Sequence, residues 1–254
     1  MDLGLQDRVY VVTGGSRGLG LATAQTLVSE GARVVLCSRD ETSLAKAAED
    51  LGGADHALPV VADLGVAGSE GNLVAAAMGR WNRLDGALIS VGGPAPGSVG
   101  STSDDAWRTG FETVFLGALR VARAVVSTLP ESGGSIAFVL SSSVKQPLDG
   151  LAVSNGLRPG LAMAAKGLAD ELGPRNIRVN GLLPGRIDTD RVRELDRASG
   201  NAAGNRKGME ARIPLRRYGD AAEFGRVASF LLSPAAGYIT GAMVPVDGGL
   251  IRSL

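Results

Sequence analysis

The residues able to do chemistry fall in short clusters. The first is Thr13-Gly14-Gly15-Ser16-Arg17-Gly18-Leu19-Gly20, set between an apolar run, Val9–Val12, and a helix-like run, Leu19–Glu30. Strand, glycine turn, helix is the context in which such a cluster binds a dinucleotide. Glycines let the backbone pass where a Cβ would collide. The helix start then offers free N–H groups and a positive dipole end to a pyrophosphate. Gly14, Ser16, Arg17, Gly18, Leu19 and Gly20 are the expected contacts. Ser38-Arg39 form the second cluster, at the tip of the run Arg33–Cys37. That tip meets the adenosine ribose in dinucleotide folds. An acid there would bind a free 2′-hydroxyl, whereas Arg39 presents a planar fork of donors suited to a 2′-phosphate. Arg17 can approach the same group, so NADP(H) is expected over NAD. Asp40 is read as a helix cap rather than a ribose acid.

Further along, Asp63-Leu64 follow the run Ala57–Ala62. Asp63 either accepts from an adenine amino group or caps the next helix. Ser90-Val91-Gly92, opening a glycine- and proline-rich tip that runs to Gly97, packs against a cofactor or is a stiffened loop. Ser141-Ser142-Ser143 end a run Ser135–Leu140 and lead to Lys145. Hydroxyls at a strand's carboxyl end sit where ligands bind in open α/β sheets. Pro184-Gly185-Arg186-Ile187-Asp188-Thr189 close the series.

These clusters need a scaffold. Short β-branched runs without alternation read as buried parallel strands. They are Val9–Val12, Arg33–Cys37, Ala57–Ala62, Gly86–Ser90, Ser135–Leu140, Ile177–Leu183 and Met243–Val246. Helices are expected over Leu19–Glu30, Glu41–Leu51, Asp104–Leu129, Ala152–Leu172 and Ala221–Leu232. The stretch from Asp104 carries a wide apolar stripe (Trp107, Phe111, Val114, Phe115, Ala118, Val121, Val125). Pro159 lies near the start of its helix or at a kink. Strands alternating with helices imply one α/β domain over 1–254, a doubly wound seven-stranded parallel sheet with helices on both faces. From 190 to 212 the chain is charged and glycine-interrupted, with Gly200 to Gly208 expected to be mobile. It is either a substrate lid or a surface loop.

Composition excludes several functions. The chain has 254 residues, 44% hydrophobic and 20% charged, with 26 basic and 26 acidic residues, so no basic excess points to nucleic acid. Cys37 is alone, which excludes an internal disulfide. His56, the one histidine, precedes a strand, has no partner motif and reads as a surface residue, so triad chemistry using histidine is not expected, and no Cys/His cluster exists to bind a metal. No metal is expected. No apolar run approaches a membrane span, and no leader pattern opens the chain. A cytoplasmic protein is expected.

Over nearly its whole length the chain resembles the short-chain dehydrogenase/reductase family, including 3-oxoacyl-carrier-protein reductases. The carrying residues are Thr13 to Gly20, Arg178-Val179-Asn180, Pro184 to Thr189 and Asp247-Gly248-Gly249. The resemblance implies a Rossmann-type fold, NADP(H), hydride transfer to a small-molecule carbonyl, and often a homotetramer packed through the two long helices. It also implies cofactor contacts at Asp63, Leu64, Ser90, Gly92, Arg158, Pro184, Gly185, Ile187 and Thr189.

The family's chemistry rests on an Asn, a Ser, a Tyr and a Lys, and this chain departs from it. Counting back from Ala169-Asp170-Glu171-Leu172 puts the tyrosine slot on Ser154 and the lysine slot on Arg158. The asparagine slot falls on Val114. The serine survives as Ser141 by strand register, or Ser142 with a one-residue slip. The family's Asn-Asn-Ala-Gly turn becomes Ile89-Ser90-Val91-Gly92. Tyr10, Tyr218 and Tyr238 have no lysine four residues on. A serine hydroxyl is a far weaker acid than a phenol, whose pKa near 10 a cation can lower. Losing the general acid costs on the order of 100- to 10,000-fold. Ser141, Ser154 and Arg158 are therefore expected to bind an oxyanion rather than donate a proton. Lys145 is the substitute acid or a solvated loop residue. The alternative to an oxidoreductase is an NADP(H)-binding protein of the same fold with little catalysis, a sensor or partner subunit.

Overall fold

The computed structural model describes residues 1–198 and 200–253. Ser199, inside the segment read as a lid, and Leu254 lie outside the described residues. Among the described residues, seven strands form one wholly parallel sheet in the order β3-β2-β1-β4-β5-β6-β7. They are β1 Val9–Thr13, β2 Arg33–Ser38, β3 Ala57–Val61, β4 Gly86–Ser90, β5 Gly134–Val139, β6 Ile177–Pro184 and β7 Met243–Val246.

Alternation of side chains across each strand builds two cores. Val9, Val11, Val35, Ile136 and Phe138 face one way. They meet α3 (Ser69–Trp81), α5 (Ala118–Val126) and α6 (Ala152–Leu172). Tyr10, Val12, Val34, Leu36 and Ala137 face the other way. They meet α1 (Gly18–Ser29), α2 (Glu41–Asp50) and α9 (Ala221–Leu232). Helices α1 and α9 touch closely: a Cβ on Gly225 would stand 2.5 Å from the Ala22 carbonyl oxygen.

The strand order reverses at β1, which pairs with both β2 and β4. Thr13 clamps this switch point. Its Oγ1 donates to Ser90 O at 2.9 Å and accepts from Ser90 N at 2.8 Å. Ligands bind at such a switch, outside the carboxyl ends of the strands.

Three elements differ from expectation. Helix α3, expected after Asp63 without stated bounds, spans Ser69–Trp81. The long helix from Asp104 is broken into α4 (Asp104–Gly110), a π-helical stretch Phe111–Gly117, and α5. Single π turns inside helices favour functional sites. The stretch expected to be mobile, Gly200 to Gly208, is largely helical. Helix α8 (Ala202–Arg212) occupies most of it, after α7 (Asp190–Ala198), and Asn201 caps α8 by accepting from Gly204 N at 3.0 Å.

Candidate functional site

The glycine turn sits directly above the switch point. Gly14 (φ +60) and Gly18 (φ +58) are in the left-handed region that glycine tolerates. A Cβ on Gly14 would lie 2.8 Å from Ser90 O, and one on Gly20 would lie 2.3 Å from Gly14 O. Helix α1 starts at Gly18 with Arg17 at its cap position and no side-chain cap. Its first-turn N–H groups therefore face outward without an internal acceptor from a cap. The turn is a cradle for an anion, and Ser16 and Leu19 complete its rim.

At the β2 tip, Asp40 Oδ1 accepts from Ser43 N at 2.7 Å, which makes it the cap of α2. The Ser43 hydroxyl and N–H hold the Asp40 carboxyl below its usual range, with the Arg17 charge adding to the effect. Arg17 thus acts electrostatically at this tip, and it is exposed like Arg39. Ser38 Oγ donates to Asp40 O at 3.1 Å.

Asp63 does not cap the next helix, one of the two roles expected for it. Its Oδ1 accepts from Gly65 N at 2.9 Å, closing a local turn, and α3 begins six residues on, behind Gly68. Leu64 packs under the π-helical stretch, where a Cβ on Gly117 would stand 2.4 Å from Leu64 O.

The serine turn departs from the register argument. Ser141 Oγ accepts from Ser143 N at 3.0 Å and so caps the short helical turn Ser142–Val144. The hydroxyl that reaches Ser154 belongs to Ser143, with the two Oγ atoms 3.2 Å apart. Ser143 was passed over because only the first two serines were weighed. Both Ser143 and Ser154 are buried. Lys145 continues the turn, its N donating to Ser142 O at 3.0 Å, with an exposed side chain.

Arg158 lies one helical turn below Ser154 on α6 and is 6% exposed. It donates to Val139 O at 2.8 Å and Val91 O at 3.3 Å, tying α6 to the tips of β5 and β4. No carboxylate among the described residues pairs with it. Burial lowers its pKa to about 10, so it remains a cation at neutral pH. The next residue, Pro159, supplies no N–H to the Asn155 carbonyl inside an otherwise continuous helix. Val114 is buried in the π-helical stretch.

The β6 tip forms the opposite lip. A Cβ on Gly185 would meet Asp247 Cβ at 2.6 Å. Asp188 N donates to Gly219 O at 2.8 Å, and Gly219 N to Arg186 O at 2.9 Å. Ile187 is buried, and Pro184 and Thr189 are half-buried. Thr189 faces the glycine turn, 3.7 Å from where a Cβ of Gly18 would be. Beyond it, Arg191 crosses to the β4 tip and donates to Pro94 O at 2.8 Å, beside the exposed Gly92.

Helices α7 and α8 are tied down by a polar cluster. Tyr218 Oη donates to the buried Asp196 carboxylate at 3.1 Å. The Arg206 guanidinium lies 4.5 Å over the Tyr218 ring and also bonds Asp188 at 3.1 Å. Burial pushes the Tyr218 phenol up to about 12. Tyr10 is in the core, donating to Leu232 O at 3.2 Å, and Tyr238 is fully exposed. None of the three phenols is bonded to Ser154 or Arg158. His56 is exposed, and the described residues hold no cluster able to bind a metal. No described helix is long and apolar enough to cross a membrane.

The chain has known relatives. A family model described as Enoyl-(Acyl carrier protein) reductase matches residues 14–251. An uncharacterized oxidoreductase of Mycobacterium tuberculosis is 35% identical over 249 residues, 97% of this chain and 93% of that protein. Dehydrogenase/reductase SDR family member 4 of Sus scrofa is 32% identical over 98% of this chain and 89% of its own. Among solved structures, L-sorbose reductase from Gluconobacter frateurii, complexed with NADPH and L-sorbose, superposes with a TM-score of 0.94. It is 29% identical, with all of both chains covered.

Proposed function

We propose a function from one premise: the chain belongs to the short-chain dehydrogenase/reductase family. It acts as a cytoplasmic NADP(H)-dependent oxidoreductase on a small carbonyl compound, in the manner of carbonyl or 3-oxoacyl reductases, without the usual tyrosine and lysine. The observation that carries this reading is Arg158, a buried cation without a carboxylate, beside the Ser143–Ser154 hydroxyl pair at the sheet's ligand-binding edge.

The cradle fits the dinucleotide. Backbone at Gly14, Ser16, Gly18, Leu19 and Gly20 would hold the pyrophosphate. Arg17, Ser38 and Arg39 would hold a 2′-phosphate, and the exposed arginines would give it a bidentate partner. Asp63 and Leu64 would border the adenine. Ser90, Gly92, Arg158, Pro184, Gly185, Ile187 and Thr189 would border the nicotinamide half. When bound, the dinucleotide supplies or takes up the hydride.

The rest falls to this chain. Ser143 and Ser154 donate hydrogen bonds to the substrate oxygen. Arg158 stabilises negative charge as it develops there, in a site where a fixed cation acts through little water. Ser141 serves the site by holding Ser143 in place. The proton that neutralises the oxygen comes from solvent, because a serine hydroxyl is a far weaker acid than the phenol it replaces. Helices α7 and α8 act as a substrate lid pinned at Asp196. A homodimer or homotetramer forms through the long helices, where Phe111, 41% exposed, stacks on Phe115 and Met163 on α6 is 73% exposed.

A second reading has its own support. With no phenol at Ser154, the protein binds NADP(H) with little turnover and serves as a sensor or partner subunit. Titrating protein fluorescence with NADPH and NADH tests the cofactor. Following reduced-nicotinamide absorbance across ketones and quinones tests turnover. Tighter binding of NADPH with oxidation by a carbonyl supports the first reading. Binding without turnover supports the second, and equal or absent binding of both cofactors overturns both.

A further inference from the structure

The chain end and the segment after α8 build a second feature. The Asp247 carboxylate folds the chain end, accepting from Gly249 N at 2.9 Å and Ile251 N at 2.7 Å. Leu215 N donates to Gly248 O at 3.3 Å, which lays the turn 213–216 against that end. Arg216 sits in this turn at φ +57, a conformation that L side chains rarely adopt and that clusters at functional sites. Between these pieces lies a cavity of roughly 570 Å³, bordered by Gln146, Arg212, Pro214, Arg216, Leu250 and Arg252. Pockets of this size hold small molecules.

Its charge is one-sided. Among the described residues, three arginines border it and no carboxylate side chain does. Arg216 donates to Ala211 O. Arg212 and Arg252 have no hydrogen bond or ion pair among the described residues. Arg193, Arg206 and Arg217, on the same part of the chain, each hold a carboxylate. The three are exposed and of one sign, so together they give this surface a positive field that attracts an anion. The cavity also adjoins the chemistry. Gln146 N donates to Ser142 O at 3.3 Å, one turn from the Ser143 hydroxyl.

We propose that this arginine cavity receives the anionic end, a phosphate ester or a carboxylate, of the carbonyl compound whose oxygen meets Ser143, Ser154 and Arg158. The assignment rests on the oxidoreductase reading above. It narrows the substrate to a carbonyl compound with an acidic group at some distance from the reacting carbon.

The test uses the whole protein saturated with NADP⁺, which keeps free anions off the glycine turn. Inorganic phosphate and acetate are titrated calorimetrically at constant ionic strength. The wild type is expected to bind one of them at least tenfold more tightly than the double variant Arg212→Ala, Arg252→Ala. Arg108→Ala, which removes an exposed arginine elsewhere, is expected to match the wild type. Preference for phosphate assigns the ester, and preference for acetate assigns the carboxylate. Where turnover is present, kcat/KM for dihydroxyacetone phosphate over dihydroxyacetone, or acetoacetate over acetone, is expected to exceed tenfold and to collapse in the double variant. Equal anion affinity in wild type and double variant, or no binding by either, overturns the proposal. Arginine-dependent anion binding without any carbonyl reduction leaves the cavity assigned and overturns the oxidoreductase reading instead.

Discussion

The two ends of the sheet treat buried charge in opposite ways. At the amino end, Asp85 is buried and fully answered. It accepts from Arg8 at 2.9 Å, from Arg83 at 2.6 Å, and from Val9 N at 2.9 Å. Arg178 lies at the same end, half-buried, and donates to the carbonyls of Leu231, Leu232, Ser233 and Ile239 around the end of α9. A cation there also meets the negative pole of the helix. At the carboxyl end, Arg158 is more deeply buried and holds only two carbonyls. A buried charge without a counter-charge is costly. The amino end spends polar groups on holding the sheet together, and the carboxyl end keeps the one that the proposed function assigns to a ligand.

Arg158→Met should separate the two ends most sharply. Turnover is expected to fall about 100- to 1,000-fold, the range for loss of a group that stabilises an oxyanion. The melting temperature should hold or rise, because removing a buried charge that has no carboxylate partner among the described residues relieves a desolvation cost. A variant that unfolds like a cavity mutant would show that Arg158 is structural, and the contrast between the ends would vanish. Asp85→Ala should do the reverse. It leaves Val9 N–H unpaired and is expected to cost about 1–3 kcal/mol in denaturant unfolding, with NADPH affinity unchanged.

The neighbouring serines sharpen the carboxyl end. Ser143→Ala removes a hydroxyl expected to meet a developing negative charge, and kcat should fall about 10- to 100-fold, as for a bond worth about 1.5–3 kcal/mol. Equal kcat for Ser143→Ala and wild type would return the role to Ser141. The pH dependence has a defined sign. Burial lowers the Arg158 pKa to about 10, below its ordinary range. NADPH binding should weaken as the pH rises through about 10. The folding cost of the charge is constant below that pH and is relieved between it and the ordinary range, where the unfolded chain binds the extra proton. Cofactor titrations paired with denaturant curves from pH 8 to about 11 check both halves. Ser141→Ala should give the smallest effect, about 1 kcal/mol of stability from the lost cap, with kcat following only through Ser143.

Much of this was legible in the residues. β-branched runs placed all seven strands, because a doubly covered parallel sheet demands apolar residues on both faces. The bounds of helix α3 were illegible because it buries only Leu73 and Ala77, and Gly71 and Gly79 blur its period. The π-helical stretch has no compositional mark, since it shifts hydrogen bonds without changing which residues are apolar. Gly200, Gly204 and Gly208 suggested mobility, but the Asn201 cap and the Asp196–Tyr218 bond make helices of the segment. Ser143 was hidden by its neighbours: in a run of three identical residues, counting from a strand fixes position only to within a residue or two.

Pro159 touches all of this from behind. By withholding a donor from Asn155, it leaves the turn that carries Ser154 and Arg158 with one rung fewer than the rest of its helix. That turn keeps its shape through burial of Val153, Ser154, Arg158 and Leu161 and through the Arg158 bonds to Val139 O and Val91 O instead. Its guanidinium is thus braced by the sheet rather than by an unbroken helical ladder, so its position answers to the tips of β4 and β5.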